Sequence, residues 1–410
     1  MSTDLATAVR ALFGGAFSVY RDNPRAGRWL QDHLRRLDEP LRIAVVGPPG
    51  SGKSTVVSAV TGRGLRDATL VERSLSEAAG EGGGVGLSDV DAALHLTRHP
   101  DEGDLRLLRS TQDSPVASAL PANAVVVLSR ADETNAGRID ALTTARQIAR
   151  RHRTDVRLRA VCANVVALSG LLAHAGRTLR EPEFADLAAL AAVPRPDLEG
   201  FLLSVDRFAG AAVPVLGQRE RHALLDRFGL FGVRLTVTLI RTGCDTRTKL
   251  STQLVRRSGL AELRETVTRC LTDRHHVLKA RSALLALDLV LRREPRPTAG
   301  RLAADLERLL VSTHDFRELR ALAALTSGRT TLPGDLATEA ERLLGGQGLD
   351  PAARLGTPDE LPDRELHSAT TDALLRWQVQ TENPLLDQHQ RDLARTVVRT
   401  CEGLLTQLPG

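Results

Sequence analysis

Aromatic residues make up only 3% of the 410-residue sequence, with one tyrosine, two tryptophans and a single methionine among the large apolar side chains. β-Sandwiches lean on aromatic and β-branched residues, so this scarcity argues against them. The abundance of Leu, Ala and Arg argues for helices. Cysteine is sparse as well: Cys162, Cys244, Cys270 and Cys401 lie far apart and form no C-x-x-C pair. A disulfide framework is therefore not expected, and the four read as structural thiols in a reducing cytosol. No apolar run reaches a membrane-spanning length, since the best of them, residues 230–240, is interrupted by Arg234. The first residues show no basic stretch leading into an apolar core, so no signal peptide is expected. Charge of one sign is nowhere concentrated. Lys+Arg total 55 against 50 Asp+Glu, a net +5, and the arginines are spread along the whole chain. Such a pattern fits weak attraction to anionic surfaces, and no nucleic-acid partner is expected.

What the chain does have is alternation. At this length two domains are the natural expectation. Residues 4–37 read as helical, with Asn23-Pro24 as punctuation. Short apolar runs then recur at residues 41–46, 68–71, 92–96, 124–128 and 160–167, separated by helix-like or Gly-rich segments. Strands alternating with helices predict a mainly parallel sheet. Beyond about residue 170 the strand signals stop and helical stripes take over, as at Leu260, Leu263, Val267 and Cys270, or Leu302, Leu306, Leu309 and Phe316. The expected organisation is an α/β P-loop GTPase-like domain over residues 38–245. A mainly α-helical neck and trunk bundle follows over 246–410, and an N-terminal helical segment, 1–37, packs with that trunk.

The chemistry is concentrated in short motifs. Gly47-Pro48-Pro49-Gly50-Ser51-Gly52-Lys53-Ser54-Thr55 fits G-x-x-x-x-G-K-[ST], with an apolar strand before it and a helix after it. Gly47, Gly50 and Gly52 let the backbone wrap phosphates, and the amides of residues such as Ser51 and Thr55 face the negative charge. Lys53 would reach the β- and γ-phosphates, and Ser54 would place its hydroxyl on Mg²⁺. Downstream, the run 125–128 ends in Ser129-Arg130-Ala131-Asp132, standing where GTP-binding proteins carry [NT]-K-x-D. Asp132 would read guanine N1 and N2 and the stem of Arg130 would cover the base; the competing reading is an Asp that caps the next helix. Ser169-Gly170, after the run 160–167, is either a base-supporting turn or an ordinary strand-to-helix loop. No D-x-x-G lies between Thr55 and Asp91. The run 68–71 ends in Glu72, which either holds a Mg²⁺-bound water or starts a helix. The matches at 197–200 and 226–229 come after Asp132, in helical contexts, and are noise. The expected ligands are GTP or GDP with Mg²⁺; an unrelated P-loop ATPase is the remaining alternative.

Further runs carry a family resemblance. They are Leu128-Ser129-Arg130-Ala131-Asp132-Glu133, Ala136-Gly137-Arg138-Ile139-Asp140-Ala141, Gly176-Arg177-Thr178-Leu179-Arg180, and Leu225-Asp226-Arg227-Phe228-Gly229. With Arg257-Ser258-Gly259-Leu260 and Thr313-His314, they span most of the chain from residue 40 onward, in order. In these runs the sequence resembles the actinobacterial isoniazid-inducible dynamin-like GTPases. The resemblance implies a GTPase head on a helical neck and trunk, peripheral contact with anionic membrane at the inner face of the plasma membrane, and membrane remodelling or repair. It also implies a homo- or hetero-oligomer with another dynamin-like protein. It maps the family's P-loop onto residues 47–55 and its guanine-reading Asp onto Asp132. One segment departs: family members carry a longer stretch with a switch Thr and D-T-P-G, whereas here Thr69-Leu70-Val71-Glu72 follows closely on the P-loop. Nucleotide binding survives that departure, while efficient hydrolysis is not expected to. The chain then reads as a weak GTPase or as a degenerate partner that regulates a complete one. Membrane contact is expected at the turn carrying Arg292, Arg293, Arg296 and Arg301, rather than at residues 228–240, which read as a buried helix.

Overall fold

The computed structural model describes residues 2–61, 68–74, 89–110, 116, 122–210, 215–358 and 361–408. Five strands form one wholly parallel sheet: β1 (Leu41–Val46), β2 (Ala68–Arg73), β3 (Ala92–Thr97), β4 (Ala124–Leu128) and β5 (Asn164–Ala167). Their spatial order is β2-β1-β3-β4-β5. The inner strands are buried on both faces, which is why they read as unbroken apolar runs. On β4, Val125 and Val127 join Ile43, Val45, Leu94 and Leu96 on one face, under α3 (Lys53–Val60) and the helix Leu260–Val267. Val126 and Leu128 face the other way, into a core shared with the helices Ala141–Thr154 and Gln218–Arg241. Residues 228–240 belong to the second of these, with Phe228, Phe231 and Val233 buried.

Two strand limits differ from the sequence pattern. β5 begins at Asn164, not at residue 160. Asp155 caps a short helix, Val156–Arg159, by accepting the Arg157 N–H at 2.9 Å, and Val161 and Cys162 are buried in the turn behind it. The apolar pattern at 160–163 is thus packing after a helix end. β2 runs on to Arg73, so Glu72 lies within the strand and does not start a helix.

The N-terminal segment is two helices, α1 (Ser2–Val19) and α2 (Pro24–Arg35). The Asn23 side chain accepts the Arg25 and Ala26 N–H groups at 3.2 and 3.1 Å, and Pro24 takes the first helical position, where a missing N–H costs nothing. Leu5, Val9, Phe13 and Leu30 bury against the helices His275–Arg293 and Gly300–Ser312. A separate helical core, built on Trp377, Leu393 and Val397, occupies residues 332–408. The helices Arg247–Arg257 and Leu260–Val267 pack with neither, because Leu250, Leu254, Leu260 and Leu263 face the cores of the sheet. The stripe 302–316 is split by Thr313, so Phe316 sits on the next helix, His314–Thr326.

The arginine-bearing turn after residue 291 is pinned to the turn between α1 and α2. Arg296 pairs with Asp22 at 2.8 Å and lies 5.4 Å over the Tyr20 ring, while the Tyr20 hydroxyl donates to the Glu294 carbonyl at 2.9 Å. Arg292 pairs with Asp288 at 2.9 Å. Among the described residues no helix is long and apolar enough to cross a membrane.

Candidate functional site

From β1 the chain moves to β2 on one side and then to β3 on the other. Neighbouring connections therefore diverge at the carboxyl end of β1, which is where open parallel sheets form their binding crevice. The 47–54 loop occupies that point. Its shape depends on glycine. A Cβ on Gly47 would lie 2.6 Å from the Leu96 carbonyl oxygen and 2.8 Å from Ser51 Oγ, so the loop could not approach β3 with any larger residue. Gly52, with φ of +88°, forms the N-cap of α3, a left-handed conformation that side chains avoid. Lys53 turns back over the loop, its ammonium donating to the Gly47 and Pro48 carbonyls at 2.9 and 3.1 Å. Ser51 Oγ is buried without a hydrogen-bond partner. A phosphate group suits this chemistry: a helix N-terminus, a lysine spanning the mouth and a hydroxyl still lacking a partner.

Glu72 completes the same rim. It lies opposite Val45 in the register of β1 and β2, and its Oε2 accepts from Ser54 Oγ at 3.0 Å. The hydroxyl and carboxylate that would serve a hydrated Mg²⁺ are thus adjacent, an oxygen set suited to a hard cation that keeps its waters. Thr55 packs on the far side against Gly170, where a Cβ would come within 3.2 Å of its methyl group.

The second group of residues lies at the ends of β4 and β5. The Ser129 N–H donates to the Thr97 carbonyl at 2.8 Å, and the Ala131 N–H to the Leu168 carbonyl at 3.2 Å, tying three strand ends together. Arg130 adopts φ of +53° and sends its guanidinium across the crevice, with Nε on the Gly50 carbonyl at 2.9 Å and Nη1 on Glu133 at 2.5 Å. Asp132 is 6% exposed in the turn that follows, well before the helix that begins at Ala141, and it does not cap that helix. Burial raises its pKa above the ordinary carboxylate value, against the opposing effect of a hydrogen bond from Ser169. Ser169 is fully buried; its Oγ accepts the Leu172 N–H at 3.3 Å and its own N–H donates to the Ser258 carbonyl at 2.9 Å. Gly47, Gly50, Ser51, Gly52, Lys53, Ser54, Glu72 and Arg130 therefore share one continuous crevice rim, with Asp132 and Ser169 joined to it through the Arg130 turn.

Two supports were not apparent from motif chemistry. A Cβ on Gly259 would lie 2.1 Å from the Ala167 carbonyl oxygen, so only glycine allows the helix Leu260–Val267 to start directly behind β5. Ser258 beside it holds Ser169. Both fall in the run Arg257-Ser258-Gly259-Leu260, which carries part of the family resemblance and offered no role of its own.

No family model matches the sequence, and no solved structure matches it. Curated relatives do. The chain is 37% identical over 323 residues to the isoniazid-induced protein IniC of Mycobacterium tuberculosis strain CDC 1551 / Oshkosh, and equally to that of strain ATCC 25618 / H37Rv. The matched stretch is 78% of this chain and 65% of either relative, so the chain corresponds to less than two thirds of their length. Over that stretch this chain is similar to the isoniazid-induced proteins.

Proposed function

We propose that the chain binds a guanine nucleotide with Mg²⁺ in the crevice above β1 and hydrolyses it slowly or not at all. The observation that carries this reading is the shared rim. The phosphate loop, the Ser54–Glu72 pair and the Arg130 bridge toward Asp132 stand at one switch point of a parallel sheet. Lys53 would hold phosphate oxygens, Ser54 and Glu72 a hydrated cation, and Asp132 the N1 and N2 hydrogens of guanine, with Ser169 orienting the carboxylate. A bound nucleotide supplies the phosphoanhydride; the residues here bind and orient it. No D-x-x-G motif lies between Thr55 and Asp91, where its glycine amide would follow the second strand, and phosphoryl transfer depends on positioning of the attacking water. Misplacement by about 1 Å can cost on the order of 10²-fold in rate. Steady-state phosphate release from GTP, with and without anionic vesicles, is therefore expected to stay near background. Robust turnover lost in Lys53→Ala would show that other groups replace the switch elements.

Asp132→Asn is expected to weaken GTP binding by roughly 1–3 kcal/mol, the cost of mismatched buried polar groups. Competition between GTP and ATP for a fluorescent nucleotide measures it. If ATP competes as well as GTP, the guanine assignment fails and a P-loop ATPase replaces it. Acidification should act in the same direction. Guanine needs the ionised carboxylate, whose pKa is raised by burial, so affinity is expected to fall as pH drops, beginning above the ordinary Asp range. In Asp132→Asn that part of the pH dependence should vanish.

A regulatory role beside a complete dynamin-like GTPase is the second reading, favoured by the same missing switch elements. Tight binding without turnover, together with co-purification with such a GTPase, would support it. Membrane remodelling at an anionic inner surface remains part of this proposal through the family alone.

A further inference from the structure

The helix that carries the phosphate loop is only eight residues long, and its far end is held by side chains from two other helices. Arg177, closing the helix Gly170–Arg177, donates from Nη1 to the Ser58 carbonyl at 2.7 Å and to the Ala59 carbonyl at 2.5 Å. Arg264, on the helix Leu260–Val267, donates from Nη2 to the same Ala59 carbonyl at 3.2 Å. Two cations converging on one oxygen repel each other. Burial lowers the Arg264 pKa, and the charge of Arg177 lowers it further. Both bind carbonyls at the C-terminal end of α3, where the helix dipole is negative and favours cations. Along its flank α3 is braced by Ser58 Oγ, 3.3 Å from His174 Nδ1, and by Thr55 against Gly170.

Resting on the nucleotide reading above, we propose that Arg177 and Arg264 are positioning residues for the phosphate loop, acting through α3. An isolated helix of two turns is marginal in water, because nucleation is costly and few bonds repay it. The amides that would face phosphate exist as an ordered cradle only while this short helix is formed. A clamp on its C-terminus, about 12 Å from the loop, raises the fraction of time it is formed. Apparent affinity scales with that fraction. If the clamp keeps α3 formed nearly always and its loss leaves it formed about a tenth of the time, phosphate-dependent affinity falls about tenfold.

The test measures binding of ribose-labelled GDP and ADP, with Mg²⁺, to the full chain and to Arg177→Ala, Arg264→Ala, Arg264→Lys and the double alanine variant. A Phe316→Leu variant in the N-terminal helical core serves as the control for general destabilisation, since Phe316 is fully buried and far in sequence from α3. Hydrogen exchange at the amides of residues 56–60 is followed in parallel without ligand. The double variant is expected to bind about tenfold more weakly and to exchange faster at those amides, Arg264→Lys to recover part of both, and Phe316→Leu to change neither. Double-variant affinity and α3 exchange equal to wild type overturn the proposal while leaving the nucleotide reading intact. Equal losses in Phe316→Leu overturn it too, by showing general destabilisation. Wild type that binds neither nucleotide overturns the nucleotide reading and this inference together.

Discussion

Replacing Lys53 by alanine is expected to remove nearly all nucleotide binding. In the structure its ammonium bridges the Gly47 and Pro48 carbonyls across the loop, the place from which it would meet phosphate oxygens. Truncating one member of a desolvated, hydrogen-bonded charge pair typically costs about 2–5 kcal/mol or more, because the other charge loses its partner. That corresponds to roughly 30-fold to several thousand-fold in affinity. The variant should fold normally, since Lys53 is only partly buried and its ammonium donates to carbonyls of its own loop. Titration with a fluorescent nucleotide, alongside circular dichroism, measures both. Equal affinity of wild type and variant would remove the phosphate loop from the function altogether.

The second large effect lies away from the crevice. Glu318 is held between helices of the C-terminal part by Arg354, whose Nη1 and Nη2 donate to its two oxygens at 2.6 and 3.2 Å, and by the Thr400 hydroxyl at 2.8 Å. Burial by itself would raise the Glu318 pKa; His314 and Arg354 outweigh it and hold the group at about 2. Arg354→Ala leaves a buried carboxylate without its main partner, a change that typically costs about 3–5 kcal/mol. Denaturant unfolding should show it as a lower midpoint. A Glu318→Met/Arg354→Met double variant should recover much of the loss, because removing both charges removes the desolvation problem. The pH dependence follows from the depressed value. The stabilisation is fully present above the ordinary Glu value of 4.5 and is lost as pH falls through about 2, amounting to about 3 kcal/mol over that window.

Much of the crevice was legible in the sequence because its information is local. The spacing from Gly47 to Thr55 specifies a strand, a tight loop and a helix start within nine consecutive positions, and β1 and β4 fall where their apolar runs do. Glu72 was recognisable as a strand-end acid. Its contact with Ser54 required the pairing of β2 with β1, which no single-strand pattern encodes. The Arg130 bridge to Gly50 joins residues far apart in sequence through a left-handed backbone conformation that nothing in the composition announces. The same holds for Arg177 and Arg264, whose acceptors are backbone carbonyls and leave no trace in residue type. At residues 160–163 the signal misled, since a buried turn after a capped helix and a buried strand present similar apolar residues. Helical stripes told which face of each helix is buried but not against what. They did not reveal that the C-terminal part holds two cores, or that residues 247–267 side with the sheet.

The packing of α1 and α2 against the helices His275–Arg293 and Gly300–Ser312 sets an order of events during synthesis. The helices α1 and α2 have their partners near residue 300, with the whole sheet translated in between. At roughly 5–20 residues per second, Phe13 and Leu30 wait on the order of tens of seconds before the helices that supply most of their native cover are made. The strands of the sheet, between residues 41 and 167, can pair with one another earlier, and the helices Arg247–Arg257 and Leu260–Val267 complete their cover. A nascent chain halted before residue 275 would therefore hold the sheet's strands and a bare amphipathic hairpin, a target for chaperones and the first place where stalled synthesis would lead to aggregation.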